Sequence, residues 1–580
     1  MSWRTLFFVL AISVLAFVGC GGDGTAGARA DGGAAPEPVA LQSEDEHEIV
    51  FKVTVGDVAL RHVEIHGRTF VEATIENWDA WGDNGQPSLP ALRRAVVLPV
   101  GANVNVTVDA KMIDRLPVDG LIAPAQPPIV KLPGAAERTP FAMDESLYHA
   151  DAFAIGRLAE IVDEGLVRNH RLGLLEITPV DYNPVKHELR VARELTVTVH
   201  VRDADPERDA ALTARLANPI FDKLVARTVS NHGTAAHWSM FTAPAAGADY
   251  LIVYADALAG TALNDFVTLK TNDGWNVHTI NVGAIGATTG AIRDYLESQY
   301  ESLANLTFVL LIGNTDAIPN FVGSQTDSPP TDLYYSTYTA GTYMPDVLIG
   351  RFPVGDTVAL GNMVMKIAAY ESAAAGAAWK KSGAFLASND NYTVSEGTHN
   401  FAIDSYLTPN GYNATKLYVH TYNATPAEVT TAVNAGQNFV WYSGHGDITY
   451  WADGPVYYQS DVQALTNTNY PFVASFACLT GDYTASECFA ATWVRGANGA
   501  SAMLASSVYS YWNEDDWFER GMSTAMFAMV DGDANQIWAG SAMDAGKYAV
   551  WIKSNHAGNA HRYFEQYNLF GDPSMMLWTD

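Results

Sequence analysis

The spacing of apolar residues changes once along this chain. Between residues 49 and 202, apolar and polar positions alternate with period two, as in FKVTVGDVAL, NVNVTVDAKM and ELTVTVHVRD, with Gly, Pro and Asp clusters between the runs. Such alternation puts one face of each strand in a core and the other in water, so an all-β, sandwich-like unit is expected there. Its length, about 150 residues, is normal for one domain. From Asp249 onward, short continuous apolar runs take turns with helix-period stretches. The runs include DYLIVYAD, a strand around 277–282, FVLLIGN, VLIGRFPV, SGAFLASND and TKLYVHTY. Helices are expected around 263–271, 290–303, 358–371 and 399–407, and after Thr425-Pro426, where proline suits a first helical position. Strand and helix alternating at this spacing predict an α/β domain with a mostly parallel sheet.

Two of the apolar runs end in reactive residues. Residues 438–442 (NFVWY) run into Ser443-Gly444-His445-Gly446, and residues 471–477 (PFVASFA) run into Cys478-Leu479-Thr480-Gly481. A helix-sized stretch at 460–467, with Ser460 or Asp461 as its cap, lies between them. A strand–helix–strand crossover makes the two strands parallel, and both tips then emerge at the carboxyl edge of the sheet. A cysteine attacks as its thiolate and needs a base close by, so Cys478 and His445 read as nucleophile and general base. The glycines flanking His445 admit a substrate backbone, and the amides of Gly446 and Cys478 are the candidate oxyanion hole. A run of Ala502-containing residues, ASAMLASSV, adds one more strand.

Composition narrows the partners. Against 34 basic residues stand 64 acidic ones, a net charge of -30, which disfavours nucleic acid and favours basic substrates. With 580 residues, two or more domains are expected. Arg4 precedes an apolar run from 6 to 18 that is short for a membrane span and ends at Gly19-Cys20. LAFVGC resembles a bacterial lipoprotein signal, which implies export and lipidation of Cys20. The expected organisation is a signal at 1–20, a Gly/Ala/Asp/Pro tether at 21–48, the β unit at 49–202, a linker at 203–248 and the α/β unit at 249–580. Lys223 and Arg227 in the linker are candidate cleavage points. The chain has three cysteines, so a Cys478–Cys488 disulfide is the competing reading for an exported protein.

The segments SGHGDITYWADG, FACLTGDY, SECFAATWV, SSVYSYWNEDDW and SNHAGNAHRYFEQYNLFGDPSMML occur in this order, after TDLYY and MPDVLIGRFPV. Together they resemble the gingipain family of cysteine peptidases over residues 249–580. The resemblance implies a caspase-like α/β catalytic domain that cuts after basic residues and is held latent by an N-terminal β-rich prodomain. It assigns the nucleophile to Cys478, the histidine to His445, and a third, acidic member to Asp390 in LASND. It also implies a specificity pocket. The segment at 510–515 resembles that of the lysine-specific gingipain, which makes Asp515 the pocket acid and Trp512 an apolar wall. Glu396 falls near the acid used by the arginine-specific members, so lysine is expected first and arginine second. Family members bind structural calcium, and Asn314, Asp332 and Asp346 lie in the matching motifs. His556, in NHAG, reads as a packing residue. The reading from another functional class is a catalytically silent surface binding protein with a Cys478–Cys488 disulfide.

Overall fold

The computed structural model describes residues 37–153, 156–231, 247–303, 305–339, 341–527, 537–554 and 557–579. The signal segment with Cys20, most of the tether, residues 232–246 of the expected linker, and His556 lie outside the described residues. Among those described, no helix is long and apolar enough to cross a membrane.

The first half is all-β, as its alternation implies. Val39–Glu44, Glu48–Thr54, Glu188–Arg202, Val180–Asn183 and Asn103–Pro117 form one antiparallel sheet. Asp79–Trp81, Leu89–Leu98, His170–Ile177 and Ala159–Val167 form a second. Phe51, Val53, Leu175, Ile177, Leu189 and Val197 from the two sheets meet in one core. Burying the inward side chain of every second residue is what holds such a pair of sheets together.

The second half is built on ten strands: β1 (Asp249–Tyr254), β2 (Asn276–Asn281), β3 (Leu306–Ile312), β4 (Leu348–Phe352), β5 (Ser382–Ala387), β6 (Asn413–Tyr418), β7 (Phe439–Ser443), β8 (Phe472–Phe476), β9 (Ala502–Ser506) and β10 (Tyr567–Phe570). Their order across the sheet is β2-β1-β3-β4-β10-β9-β8-β7-β5-β6. Every neighbouring pair is parallel except β9 with β10, so two parallel halves run in opposite directions and meet at that seam. Strands β3, β4, β7, β8 and β9 are buried at every position, because helices cover both faces of the sheet. The unbroken apolar runs reflect that burial.

Three local expectations need correction. Residues 203–248 are not simply a linker: their described part carries helices Pro206–Leu216 and Pro219–Ala226, capped by Asp205 and Asn218. Ile220, Phe221, Leu224 and Val225 of the second helix are buried in the core of the α/β unit. Lys223 therefore lies within a helix and Arg227 caps it, neither in the extended form a peptidase binds. The crossover between β7 and β8 carries only a short helix, Gln459–Gln463, capped by Tyr458 rather than Ser460 or Asp461. The helix after β5 begins at Tyr392 and ends in a π turn at Ile403–Leu407, where the sequence predicts a helix over 399–407.

The two halves are fastened together. The buried Arg168 of the β unit donates Nε to the Leu216 carbonyl and Nη1 to those of Leu306 and Asp346. Asp163 accepts hydrogen bonds from Tyr343 Oη and Trp551 Nε1, both at 2.9 Å.

Candidate active site

Strands β5, β7 and β8 are adjacent and parallel, so Ser443 pairs with both Ala387 and Phe476 and the three tips share one edge. Asp390 comes after β5, His445 after β7 and Cys478 after β8. His445 Nε2 lies 2.8 Å from Asp390 Oδ2. That contact assigns the ring proton to Nε2 and leaves Nδ1, which is buried without a hydrogen-bond partner among the described residues, as the basic nitrogen. The hydrogen bond from His445 holds the Asp390 carboxyl below the usual carboxylate range. After β8 the backbone turns sharply: Leu479 has a φ of 59° and its N–H bonds the Val508 carbonyl at 3.0 Å. A leucine in the left-handed region is strained, and the surrounding hydrogen bonds hold it there. Nothing in the sequence marks this turn, because no glycine occupies it.

Gly446 and Cys478, whose amides are the candidate oxyanion hole, lie on strand tips that touch. A Cβ at Gly446 would sit 2.6 Å from the Cys478 carbonyl oxygen, so only glycine lets the two tips approach this closely. Cys478 and Cys488 are both free thiols, which removes the disulfide on which the silent-binding reading depended. Cys488 instead caps the helix Phe489–Arg495, where the Thr492 N–H donates to its carbonyl at 3.1 Å.

The site is closed by a segment that the sequence did not mark. Residues 129–131 of the β unit lie antiparallel to residues 510–512: Lys131 N–H donates to the Ser510 carbonyl at 2.8 Å and Trp512 N–H to the Ile129 carbonyl at 3.2 Å. This is how an extended peptide adds to a sheet edge. The Lys131 side chain then descends into a pocket where it is wholly buried. Its ammonium lies 2.9 Å from Asp515 Oδ2, 2.8 Å from the Phe476 carbonyl and 3.1 Å from Ser443 Oγ, with the Trp512 ring 4.7 Å away. Three acceptors meet three N–H donors, which is what an ammonium requires when it leaves water. Asp515 is itself held by Ser510 Oγ at 2.8 Å, Tyr563 Oη at 2.9 Å and Tyr567 Oη at 2.6 Å. Trp512 also meets the His445 ring edge-on at 5.4 Å, so one indole borders both pocket and histidine.

Beneath this segment the thiol is buried and kept protonated. Burial pushes Cys478 up to about 11, against a smaller opposing effect of the Ser510 N–H, which points at Sγ from 3.3 Å. The thiol donates to the Lys131 carbonyl oxygen at 3.3 Å. Leu132 N–H closes back onto the Val130 carbonyl at 2.8 Å, folding the chain into a tight three-residue turn centred on Lys131. The bond after Lys131 therefore lies over the thiol, yet its amide belongs to a turn and its carbonyl accepts a hydrogen bond from the thiol.

Other expected residues lie elsewhere. Glu396 does not face the pocket: its carboxylate accepts Thr421 N–H at 3.1 Å and Thr421 Oγ1 at 2.5 Å. Asn314, Asp332 and Asp346 do not fit a calcium ion. Asp332 uses both oxygens on Arg351 at 2.7 Å, Asp346 Oδ2 accepts the amides of Tyr338 and Thr339, and Asn314 Oδ1 accepts Arg495 Nη2 at 2.7 Å. These oxygens are spent on protein donors, and among the described residues no cluster of three or more His, Cys, Asp or Glu could hold a metal. Residues missed in the sequence are Lys131, Ser443 as a pocket wall, Tyr563 and Tyr567. Lys131 had one signal, a lone cation in the apolar, proline-flanked stretch PPIVKLPG.

Comparison with known proteins agrees with this architecture. The family model of the C25 propeptide matches residues 29–237, and that of peptidase family C25 matches residues 243–578. Lys-gingipain HG66 of Porphyromonas gingivalis is 29% identical over 90% of this chain, which spans 32% of that protein's length. Gingipain R2 of the same organism is 26% identical over 86% of this chain and 68% of its own. Among solved structures, the Arg-specific cysteine proteinase gingipain R superposes with a TM-score of 0.52 at 24% identity, covering 57% of this chain and 78% of that one. The chain spans about a third of the length of the Lys-gingipains it matches. It belongs to peptidase family C25 and carries that family's propeptide ahead of the peptidase unit.

Proposed function

We propose that this chain is the latent form of a cysteine endopeptidase that cleaves after lysine. The observation that carries the reading is the Lys131 ammonium, buried between Asp515, Ser443 Oγ and the Phe476 carbonyl at the edge bearing Cys478. An arginine would bring a longer, planar fork of five donors to a pocket with three acceptors arranged around one nitrogen. The β unit acts as an inhibitor that presents this lysine in the manner of a substrate. Once it leaves, His445 Nδ1 takes the Cys478 proton and sulfur attacks the scissile carbonyl carbon. The amides of Gly446 and Cys478 receive the resulting oxyanion. The imidazolium then passes its proton to the leaving amine, and water hydrolyses the thioester to restore the thiol. Asp390 keeps the proton on Nε2 throughout, so that Nδ1 stays available. The leader ending at Cys20 supports export and anchoring through lipid.

With the prodomain released, lysyl reporter amides should be hydrolysed about 10²-fold or more faster than arginyl ones, the discrimination expected of a pocket built on buried hydrogen bonds. A lysine-directed affinity probe should modify Cys478, and Cys478→Ser should abolish both signals. Comparable arginyl rates would overturn the specificity, and an unlabelled Cys478 would overturn the peptidase reading. The two tyrosines give a finer check. Tyr563→Phe and Tyr567→Phe each remove a hydroxyl from Asp515 Oδ1, so each should lower lysyl kcat/KM by about 10-fold, the worth of one hydrogen bond to a charged group. Unchanged kinetics in both would mean that Asp515 needs no such support.

A further inference from the structure

A second carboxylate stands beside the histidine. Asp453 Oδ2 lies 3.9 Å from His445 Nε2, behind Asp390 Oδ2 at 2.8 Å. Asp453 Oδ2 also accepts the backbone N–H of Asp390 at 3.0 Å, and its carbonyl accepts the N–H of Asn389 at 3.4 Å. Asp453 is fixed in turn by Tyr442, whose hydroxyl accepts the N–H groups of Asp453 and Gly454 and donates to the His445 carbonyl at 2.6 Å. Tyr442 is immobilised by stacking on Trp451 at 4.6 Å.

The arrangement solves a problem specific to this site. Asp390 sits in the turn after β5 with its side chain 51% exposed, and Asn391 next to it has a φ of 44°. A carboxylate on such a half-exposed turn stays against an imidazole only if the backbone of the turn is itself held. Asp453 supplies the tie, joining the turn that carries Asp390 to the tip that carries His445.

We propose that Asp453 is a positioning residue, holding the Asp390 turn so that Asp390 meets His445 Nε2 and keeps the imidazole in its Nε2–H tautomer. It acts through Asp390 and touches no substrate. The kinetic arm of its test rests on the lysyl peptidase reading; the spectroscopic arm does not.

In the activated enzyme, Asp453→Ala should lower kcat for a lysyl reporter by about 10- to 100-fold with KM within about twofold, as expected when a group is lost that acts only as the reaction proceeds. Asp453→Asn keeps an oxygen for the Asp390 amide and should restore most of that rate. In an Asp390→Ala background, Asp453→Ala should have no further effect, because the group it positions is gone. Equal losses in both backgrounds, or an asparagine variant as poor as the alanine one, would overturn the proposal. The intact zymogen gives the independent reading through the ¹⁵N shifts of its histidine ring. His445 should be the Nε2–H tautomer in the native chain and in Asp453→Asn, and a mixture of tautomers in Asp453→Ala. An Asp453→Ala zymogen with the native His445 spectrum would overturn it. If the native enzyme cleaves no lysyl reporter, the lysyl specificity fails and the ring spectra alone decide this one.

Discussion

Asp515→Asn is expected to lower kcat/KM for lysyl substrates by about 10²- to 10³-fold, with little gain toward any other residue. The magnitude comes from breaking a fully buried ion pair by removing one partner, which costs about 3–5 kcal/mol because the remaining charge stays out of water. In this pocket the ammonium would keep the Phe476 carbonyl and Ser443 Oγ but lose its counter-charge. Tyr563 and Tyr567 would still donate to an amide oxygen, so the site should keep its shape. The comparison of interest is thus electrostatic, and steady-state kinetics on lysyl and arginyl reporters measures it. A variant within about threefold of the native enzyme, far short of the loss of a buried charge partner, would show that the pocket acid lies elsewhere.

Lys131→Ala is the second large effect, and its sign is a gain. In the native zymogen Lys131 contributes an ion pair, two further hydrogen bonds from its ammonium and a strand-like pairing with residues 510–512. Truncation leaves Asp515 buried without a partner cation, a penalty that undocking the segment relieves by letting water in. The uncleaved chain should then hydrolyse lysyl reporters, and the native zymogen should not. Cys478 should respond alongside. Burial raises it to about 11, so the native zymogen holds its thiol protonated and should resist alkylation at about pH 8. A thiol raised in the docked state stabilises docking fully below its ordinary value of 9.0, and that contribution is lost as pH climbs through about 11. Alkylation of the native zymogen should therefore accelerate across that window, whereas Lys131→Ala should react readily at about pH 8. A silent and unreactive Lys131→Ala zymogen would show that latency rests on the remaining interface, including Arg168 and Asp163.

The shared edge that carries Asp390, His445 and Cys478 was legible because parallel strands buried on both faces leave unbroken apolar runs, and the residues just past each run must emerge at the same edge. Residues 438–442 and 471–477 met both conditions, which brought His445 and Cys478 forward from spacing alone. The seam between β9 and β10 was not legible. Strand β10 is only four residues long, Tyr567–Phe570, and its antiparallel direction depends on where the helices before it deliver the chain. The helices at 206–226 were hidden by the mixed composition of residues 203–248, although Asp205-Pro206 and Asn218-Pro219 are ordinary helix starts. Acidic residue types could not reveal their partners. Asp332 looked like an oxygen ligand but answers the buried Arg351, and Glu396 turned to Thr421 because its face of the helix Tyr392–Ala402 packs against the tip of β6. Lys131 was the hardest to find, since its contacts with Ser443, Phe476 and Asp515 cross more than 300 residues of chain.

If the pocket that Lys131 occupies in the zymogen is the one that selects substrate in the active enzyme, cleavage sites must carry its signature. Digesting a denatured protein mixture with the activated chain, and sequencing the products by mass spectrometry, reads that selection without presupposing a substrate. New carboxyl termini at lysine, outnumbering those at arginine by about 10²-fold and absent with Cys478→Ser, are the predicted result. Cleavage at arginine as often as at lysine, or at neither, would contradict it.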